Sequence, residues 1–315
     1  MRILVTGGAG YIGSVLTHEL LKHQHKVTVV DNLMYRDQSP MALAACLKHR
    51  SNFTFIEGDA RDKSVMEKLV SKADVIIPLA CIVGMPACKK DPEKAASTNL
   101  GAIRLILKLR SNYQAIIFPN TNSGYGIGQE GAPCTEESPL NPVSLYGTLK
   151  VQAEKEVLES GHAIVLRLAT VFGVSPRMRL DLLVNEFVYM ALKYKLIELS
   201  EGHFYRNYIH VRDVVRAFSH CIDKFWLTMH DQIYNIGLSD ANLTKKELCL
   251  EIHKQVPDFI FIETDRYKDP DQRNYIVSNA KIEATGFMPQ ISLQEGIAEL
   301  IAAYPLFRKG TFSNI

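Results

Sequence analysis

Several features that define other classes of protein are missing from this chain of 315 residues. No apolar run is long enough to span a bilayer, and the amino terminus is not a charged segment that leads into an apolar signal region. The 36 Lys and Arg residues nearly balance the 34 Asp and Glu residues, and no basic cluster typical of nucleic-acid binding is present. We therefore expect a cytoplasmic protein that binds neither a membrane nor a nucleic acid.

Cysteine shows no organised pattern. The six cysteines are scattered, with no Cys-x-x-Cys pair, at Cys46, Cys81, Cys88, Cys134, Cys221 and Cys249. This distribution is typical of reduced, mostly buried thiols, and no metal site is predicted. Cys81 has no paired base near it in sequence, so we interpret it as a packing residue and not as a nucleophile.

The hydrophobic content of 47% is sufficient for a substantial core, in one large domain or in two closely joined lobes. Short apolar segments alternate with helical segments, which predicts an α/β fold with a doubly wound parallel sheet. The predicted strands cover residues 3–6, 27–30, 53–56, 75–79, 115–118 and 163–167. The predicted helices lie near residues 10–23, 62–71, 92–111 and 145–160.

The alternation of strands and helices weakens after Phe172. We therefore divide the chain into a nucleotide-binding domain, residues 1–172, and a smaller substrate-binding lobe, residues 173–315. Later apolar segments such as 232–237 are expected to return to the sheet.

A glycine-rich segment, Gly7-Gly-Ala-Gly10-Tyr-Ile-Gly13, follows the first predicted strand. The first glycine permits a sharp turn, the second lets the backbone approach a pyrophosphate, and the third lets the next helix lie close to the sheet. The second strand ends at Asp31, where a carboxylate accepts hydrogen bonds from the adenosine ribose and repels a 2′-phosphate. The pattern predicts a Rossmann dinucleotide site that prefers NAD to NADP.

Tyr146 and Lys150 are four residues apart in a predicted helix, so both side chains lie on one face. The ammonium would stabilise the phenolate and lower the pKa of a phenol from its usual value of roughly 10. Such a phenolate can act as a base near neutrality. The spacing alone is weak, but together with the dinucleotide site it predicts a redox enzyme.

These segments resemble the extended short-chain dehydrogenase/reductase family, which contains NAD-dependent nucleotide-sugar epimerases and dehydratases. The resemblance covers almost the whole chain. The residues that carry it are Gly7, Gly10, Gly13, Asp31, Asp59, Ala60, Asn99, Thr121, Tyr125, Gly126, Tyr146, Lys150, Asp213 and the segment 206–210.

The resemblance implies three catalytic residues. Tyr146 would take a proton from a sugar hydroxyl, Thr121 would hydrogen-bond the same oxygen, and Lys150 would hold the nicotinamide ribose. Without the resemblance, Thr121 is more simply interpreted as a turn or capping hydroxyl, and Asp59 equally well as a turn residue. The implied NAD-binding residues are Gly7, Gly10, Tyr11, Ile12, Gly13, Asp31, Asn32, Asp59, Ala60, Leu79, Ala80, Asn99, Tyr146 and Lys150.

A substrate with a diphosphate suits arginine, whose guanidinium binds phosphate oxygens in pairs. The resemblance implies that Arg206 contacts this diphosphate, and Arg273 is a second candidate. Arg177 and Arg179 are interpreted either as substrate contacts or as solvated surface charge. The full predicted substrate-binding set is Asn122, Ser123, Thr170, Arg177, Arg179, Arg206 and Arg273.

Departures from the family pattern bear on the reaction. Dehydratases of the family carry an acid just after the catalytic Thr, whereas Asn122 and Ser123 stand there in this chain and cannot supply one. Thr170 replaces a common Asn. The combination is similar to bacterial GDP-heptose C4 dehydrogenases of capsule-sugar pathways, and it implies oxidation of C4 to a ketone.

Two alternatives to that dehydrogenase stay open. A 4-epimerase makes the same 4-keto intermediate and returns the hydride to the other face. A catalytically silent NAD-binding regulator is less favoured, because a binding module gains nothing from Thr121, Tyr146 and Lys150. The resemblance also implies a homodimer, formed through the helices near 92–111 and 145–160, and suggests 2-oxoglutarate as a reoxidant of the cofactor.

Overall fold

The computed structural model describes residues 1–35, 39–128, 131–264 and 273–306. Its strands are β1 (Arg2–Thr6), β2 (Lys26–Asp31), β3 (Phe53–Glu57), β4 (Val75–Pro78), β5 (Ala115–Thr121), β6 (Ala163–Leu168), β7 (Thr170–Phe172), β8 (Leu196–Leu199), β9 (Tyr205–His210), β10 (Gln232–Ile236), β11 (Asn242–Thr244) and β12 (Ile260–Glu263). Its helices are α1 (Tyr11–Lys22), α2 (Ser39–Ala42), α3 (Lys63–Val70), α4 (Met85–Lys90), α5 (Pro92–Ala96), α6 (Ala102–Leu109), α7 (Leu145–Glu159), α8 (Leu183–Lys193), α9 (Val211–Lys224), α10 (Lys245–Gln255), α11 (Ala280–Glu283) and α12 (Leu293–Ala303). Within these ranges, no helix combines the length and the apolarity needed to cross a bilayer.

Seven parallel strands form the central sheet, in the order β10-β6-β5-β4-β1-β2-β3. The order runs outward in both directions from β1 and β4, so the chain winds the sheet twice. The predicted α/β fold with a doubly wound parallel sheet is therefore confirmed. Ligands of such sheets collect at the carboxyl ends of the strands, where the winding direction reverses.

Side chains that alternate along β1 bury both faces of the sheet. Ile3 and Val5 lie in one core with Leu16 of α1 and Phe218 of α9. Leu4 lies in a second core on the opposite face, beneath α3, α6 and α7. Because successive side chains of a strand point to opposite faces, one short apolar run can pack against two layers of helices.

The chain beyond residue 172 contributes to two parts of the structure. Strands β7, β9 and β11 form a small sheet, β8 pairs with β12, and α8, α10 and α12 pack around a separate core. In contrast, α9 packs on α1, and β10 pairs with β6 from Gln232↔Ile164 to Ile236↔Leu168. The segment after residue 172 thus supplies the seventh strand of the central sheet as well as the smaller lobe.

Strand β5 extends beyond its predicted end to Thr121. Proline cannot donate a ladder hydrogen bond, so Pro119 is unusual in a central strand. However, β4 pairs with β5 only at Ala115 and Ile116, so Pro119 faces no partner on that side. Its other side continues to pair with β6.

The single helix predicted near 92–111 is divided in the structure. A π-helical turn, Ser97–Gly101, separates α5 from α6. It contains Asn99, whose side-chain oxygen accepts a hydrogen bond from the backbone of Ile82 at 2.8 Å. A tertiary contact of this kind, which is not local in sequence, accompanies the change from regular helix to π turn.

Candidate active site

A cleft of about 580 Å³ opens at the carboxyl ends of β1, β2, β4 and β5, between the sheet and the smaller lobe. Most of the predicted site residues line it. They are Gly7, Gly10, Tyr11, Ile12, Gly13, Asp31, Asn32, Asp59, Ala60, Leu79, Ala80, Thr121, Ser123, Tyr146, Lys150, Thr170, Arg177, Arg179, Arg206 and Arg273. Two others, Asn99 and Asn122, do not line the cleft.

The glycine loop is packed too tightly for side chains. A Cβ on Gly7, which has φ +72°, would lie 2.6 Å from the backbone nitrogen of Ala80. A Cβ on Gly13 would lie 2.3 Å from the carbonyl oxygen of Gly7. Helix α1 begins directly after Gly10, and no side chain caps its first backbone N–H groups. These N–H groups and the positive end of the helix dipole form a site suited to a phosphate.

Asp31 fixes the end of β2 against the glycine loop. Its carboxylate accepts hydrogen bonds from the backbone N–H of Ala9 at 3.0 Å and of Leu33 at 2.9 Å. Burial raises the pKa of the Asp31 carboxyl, while these two hydrogen bonds and Arg177 act in the opposite direction. The carboxylate therefore has a defined position at the edge of the cleft.

Asp59 was interpreted either as a cofactor contact or as a turn residue, and its position in the structure is compatible with both. It lines the cleft, and it is also a turn residue that accepts a hydrogen bond from the backbone N–H of Arg61 at 2.9 Å. The Arg61 guanidinium binds both of its carboxylate oxygens and holds the pKa of Asp59 at about 2. The carboxylate is thus ionised throughout the physiological range.

Tyr146 and Lys150 lie on the face of α7 that borders the cleft. The helix starts with Ser144 as its N-cap, whose hydroxyl accepts a hydrogen bond from the backbone N–H of Gly147 at 3.1 Å. Lys150 Nζ donates to the carbonyl oxygen of Pro119 and lies 3.9 Å from the centre of the Phe118 ring. The lysine is therefore anchored to β5.

The prediction that Lys150 lowers the pKa of Tyr146 is wrong for the protein by itself. Burial raises the pKa of the Tyr146 phenol, and the charges that oppose this rise belong to Arg273 and Arg179. Burial also lowers the pKa of Lys150. The desolvation of both groups outweighs the attraction expected from their spacing.

A chain of hydroxyl groups leads from Thr121 to Arg273. Thr121 Oγ1 lies 2.8 Å from Ser123 Oγ and also accepts a hydrogen bond from the Ser123 backbone N–H. Arg273 donates to the Ser123 hydroxyl. Thr121 is therefore both a capping residue and a residue of the cleft, and Ser123 connects it to an arginine of the smaller lobe.

Asn99 and Asn122 have other roles in the fold. The Asn99 amide binds both backbone polar groups of Ile82, at 2.8 and 2.9 Å, and so fixes the loop after β4. Asn122 is 1% exposed, and neither polar atom of its side chain has a hydrogen-bond partner among the described residues. The geometry of Asn99 indicates a positioning residue, and Asn122 is separated from the cleft.

The arginines of the smaller lobe differ in their surroundings. Arg179 forms a two-point ion pair with Asp181. Arg206 donates to the carbonyl oxygens of Tyr205 and Arg273. Arg206 and Arg273 are therefore in contact, and both line the cleft.

Sequence reasoning missed several residues of the cleft, because their positions depend on how distant segments pack together. They are Met34, Tyr35, Val83, Gly84, Met85, Pro86, Thr98, Asn120, Ser144, Asp181, Glu186 and Lys245, among others. One local signal was available, since Asp181 stands two residues after Arg179. Nothing in the sequence indicated that Tyr35 would meet the later arginines.

A buried polar network supports the cleft from behind. Arg167 of β6 forms a two-point ion pair with Glu154 of α7, with contacts of 2.6 and 3.1 Å. Arg167 also donates to the Tyr125 hydroxyl at 2.9 Å, and that hydroxyl donates to Asn235 of β10 at 2.6 Å. Both members of the ion pair are almost fully buried. The network joins the helix of Tyr146 to two strands of the sheet.

The arrangement fits a dinucleotide on structural grounds. The uncapped start of α1 suits the pyrophosphate, Asp31 suits the ribose hydroxyls, and the phenol of Tyr146 opens to the same cleft. When bound, NAD supplies the hydride acceptor. The chain itself supplies a phenol that can take a proton and a neighbouring hydroxyl, Thr121, that can orient the same substrate oxygen.

Comparison with known proteins agrees with this geometry. The model of the NAD dependent epimerase/dehydratase family matches residues 3–237. The low-salt glycan biosynthesis protein Agl12 of Haloferax volcanii is 29% identical over 313 residues, covering 96% of this chain and 98% of that protein. The UDP-glucuronic acid decarboxylase 6 of Arabidopsis thaliana is 30% identical over 313 residues, covering 94% of this chain and 87% of that protein.

Among solved structures, UDP-glucose 4-epimerase from Thermotoga maritima with UDP-glucose has a TM-score of 0.82 to this chain. The two are 26% identical, and the match covers 97% of this chain and 99% of that one. The chain is therefore an NAD-dependent enzyme and belongs to the NAD dependent epimerase/dehydratase family, as its resemblance to the extended short-chain dehydrogenases implied.

Proposed function

We propose that this enzyme oxidises C4 of a nucleotide-activated sugar to a 4-keto sugar, and that the substrate is a GDP-heptose. Tyr146 takes the proton of the C4 hydroxyl while C4 loses its hydride to NAD. Thr121 hydrogen-bonds the same oxygen and keeps it within reach of the phenol. Arg206 and Arg273 bind the diphosphate, which is supported by their mutual contact within the cleft lining.

The observation that carries the proposal is the occupancy of the loop after Thr121. Dehydration at C6 needs an acid beside the catalytic threonine, but Ser123 fills that position and is held by Thr121 and Arg273. Asn122 is buried away from the cleft. Among the other acids of the cleft, Asp181 is paired with Arg179, Asp59 with Arg61, and Asp31 accepts hydrogen bonds from the backbone. Glu186 also lines the cleft and burial raises its pKa, but it lies on α8, outside the loop that follows Thr121.

A 4-epimerase is the second candidate. It needs the same base and the same 4-keto intermediate, followed by return of the hydride to the opposite face. The structural match to a UDP-glucose 4-epimerase over nearly the whole chain favours it. An epimerase returns the hydride to the sugar and regenerates NAD, whereas a dehydrogenase leaves NADH at the end of each turnover. Net oxidation therefore requires a compound that reoxidises NADH, for which we propose 2-oxoglutarate.

Analysis of the product distinguishes these reactions. The enzyme is incubated with GDP- and UDP-linked sugars, and the product is examined by mass spectrometry and NMR. Loss of two hydrogens with appearance of NADH supports oxidation, whereas an unchanged mass with an altered coupling at H4 supports epimerisation. Loss of water or of carbon dioxide would contradict both candidates.

We also propose that the enzyme is a homodimer through α6 and α7. Analytical ultracentrifugation tests this directly. A monomer at micromolar concentration would refute the proposal, and so would a dimer that persists when charges of one sign are introduced on the exposed faces of both helices.

A further inference from the structure

Arg177 is the most unusual side chain of the cleft. It is 1% exposed, yet it lines the cleft. Its Nε and Nη2 atoms are buried and have no hydrogen-bond partner among the described residues. A buried guanidinium with unused donors is costly, because the lost hydrogen bonds to water are not replaced. Such a group is expected where a ligand completes the hydrogen bonds.

The surroundings of Arg177 lie on the cofactor side of the cleft. Its guanidinium stacks 4.2 Å from the centre of the Tyr35 ring, which follows β2. Its charge also acts on Asp31 at the end of the same strand. In contrast, the arginine charges that act on Tyr146 are those of Arg273 and Arg179. Tyr35 and Asp31 both lie at the end of β2 or in the loop after it, so the stacking on Tyr35 places Arg177 on that side of the cleft.

The loop that carries Arg177 is attached to the start of α1. The Tyr11 hydroxyl donates to the carbonyl oxygen of Gly173 at 2.6 Å. The Ser175 hydroxyl donates to the carbonyl oxygen of Tyr11 at 2.7 Å and lies 3.1 Å from the hydroxyl of Ser14. These contacts place Arg177 beside the helix terminus whose N–H groups suit a phosphate.

The neighbouring arginine does not share this property. Arg179 is neutralised by its two-point pair with Asp181. No carboxylate forms such a pair with Arg177 in the part of the chain that the structure describes. The charges of Asp31 and Asp181 act on Arg177, but two of its buried donors remain without a hydrogen-bond acceptor among the described residues.

We propose that Arg177 is a cofactor-binding residue that donates to the pyrophosphate of NAD, with Tyr35 as the residue that positions its guanidinium. This differs from the substrate role predicted from the sequence. The smaller lobe then contributes to cofactor affinity directly. A sugar nucleotide also carries a diphosphate, so the test must distinguish binding of the NAD pyrophosphate from binding of the substrate diphosphate.

The test uses Arg177→Met, which keeps the length of the side chain and removes its charge and donors. Binding of NAD, ADP-ribose, adenosine, GDP and UDP to nucleotide-free protein is measured by calorimetry. We expect the affinity for NAD and ADP-ribose to fall roughly tenfold to a hundredfold, the scale of hydrogen bonds to charged groups. Affinity for adenosine, GDP and UDP should remain within twofold or so of the wild type.

Arg206→Met is the matched control, and it should show the reverse pattern, with weaker GDP or UDP binding and unchanged NAD binding. If Arg177→Met instead weakens GDP or UDP and spares NAD, Arg177 belongs to the substrate site and the proposal is wrong. An equal loss for adenosine and NAD would also overturn it, because adenosine has no phosphate.

The melting temperature of Arg177→Met, measured with and without NAD, shows whether the variant is destabilised in its fold. Removal of a buried charge without partners should leave the melting temperature of nucleotide-free protein unchanged or raise it. The additional increase produced by NAD should become smaller than in the wild type. A lower melting temperature without nucleotide, with an undiminished NAD effect, would show that Arg177 serves the fold alone.

Discussion

Lys150, one helical turn after Tyr146 on α7, donates a hydrogen bond to the carbonyl oxygen of Pro119. This bond ties the lysine to the strand that ends at Thr121, and Asn120 of the same strand donates to Glu154 of α7, so the three catalytic candidates lie on two elements that are joined directly. The phenol of Tyr146 has a raised pKa in this buried setting. Burial thus opposes ionisation of Tyr146 in the protein by itself, and the cationic nicotinamide ring of NAD would favour ionisation when the cofactor is bound.

Replacement of Tyr146 by Phe should reduce turnover by roughly two to four orders of magnitude, the usual contribution of a general base. The ring still fills its position, so the affinity for NAD should change little. Steady-state kinetics and calorimetry measure the two effects. Tyr113→Phe, at an exposed site, serves as a control. Turnover of Tyr146→Phe close to that of the wild type would exclude this residue as the base.

Replacement of Asp31 by Ala should weaken NAD binding and narrow the preference over NADP. The variant loses acceptors for the ribose hydroxyls and also the bonds from Ala9 and Leu33 that hold the loop. Asp31→Asn keeps one acceptor oxygen and removes the negative charge, so it separates charge repulsion from loop support. If the wild type binds NADP more tightly than NAD in calorimetry, the role given to Asp31 is incorrect.

Replacement of Arg206 by Ala should weaken binding of the sugar nucleotide by about 2 kcal/mol and leave NAD binding unchanged. The variant removes the proposed diphosphate contact and also the hydrogen bond to the backbone carbonyl of Arg273. Arg212→Ala, an exposed change on α9, should have no effect on either ligand. An unchanged Michaelis constant in Arg206→Ala would place the diphosphate elsewhere.

The two arginines that pair with α7 should differ sharply in their effect on stability. Arg167→Ala leaves Glu154 buried without its partner and should lower the free energy of unfolding by about 3–5 kcal/mol. Arg104→Ala breaks a two-point pair between Arg104 of α6 and Glu156 of α7. That pair lies at the surface of the chain, so the free energy of unfolding should change little. Urea denaturation measures both. Equal losses would contradict the assignment of the first pair to the core.

Stability should decline as the pH falls below about 6.5, the usual pKa of histidine. Burial lowers the pKa of His18, His25 and His220 in the folded protein. The unfolded chain therefore binds protons first, and the native state loses stability until the pH passes below the folded pKa values. Urea denaturation at several pH values should show a smaller decline for His220→Gln than for the wild type. An identical decline would show that His220 titrates alike in both states.

The central sheet was predictable because its strands are short apolar runs that periodicity identifies. Strand β5 shows the limit of that reasoning, since it continues past its predicted end at Phe118 and pairs with β6 as far as Thr121. Residues at the strand ends, such as Asp31 and Thr121, were also predictable, because the topology brings those ends together.

The remaining parts of the site depend on contacts between distant segments. Asn99 was expected near the cofactor, but its amide is used by the backbone of Ile82. The stacking of Arg177 on Tyr35 joins residues far apart in the chain, and no local pattern encodes it. The pKa of Tyr146 was predicted wrongly because the four-residue separation from Lys150 indicates a neighbouring charge but does not show how deeply the phenol is buried.

The origin of β10 has a consequence for protein engineering. A fragment that ends near residue 172 would keep β6 but lose the strand beside it, together with Asn235, the acceptor of the Tyr125 hydroxyl. Strand β6 is fully buried in the intact protein. Without β10, its backbone N–H and C=O groups would form an exposed sheet edge, which promotes aggregation. The nucleotide-binding half is therefore not separable by simple truncation, and the two halves are expected to fold as one cooperative unit.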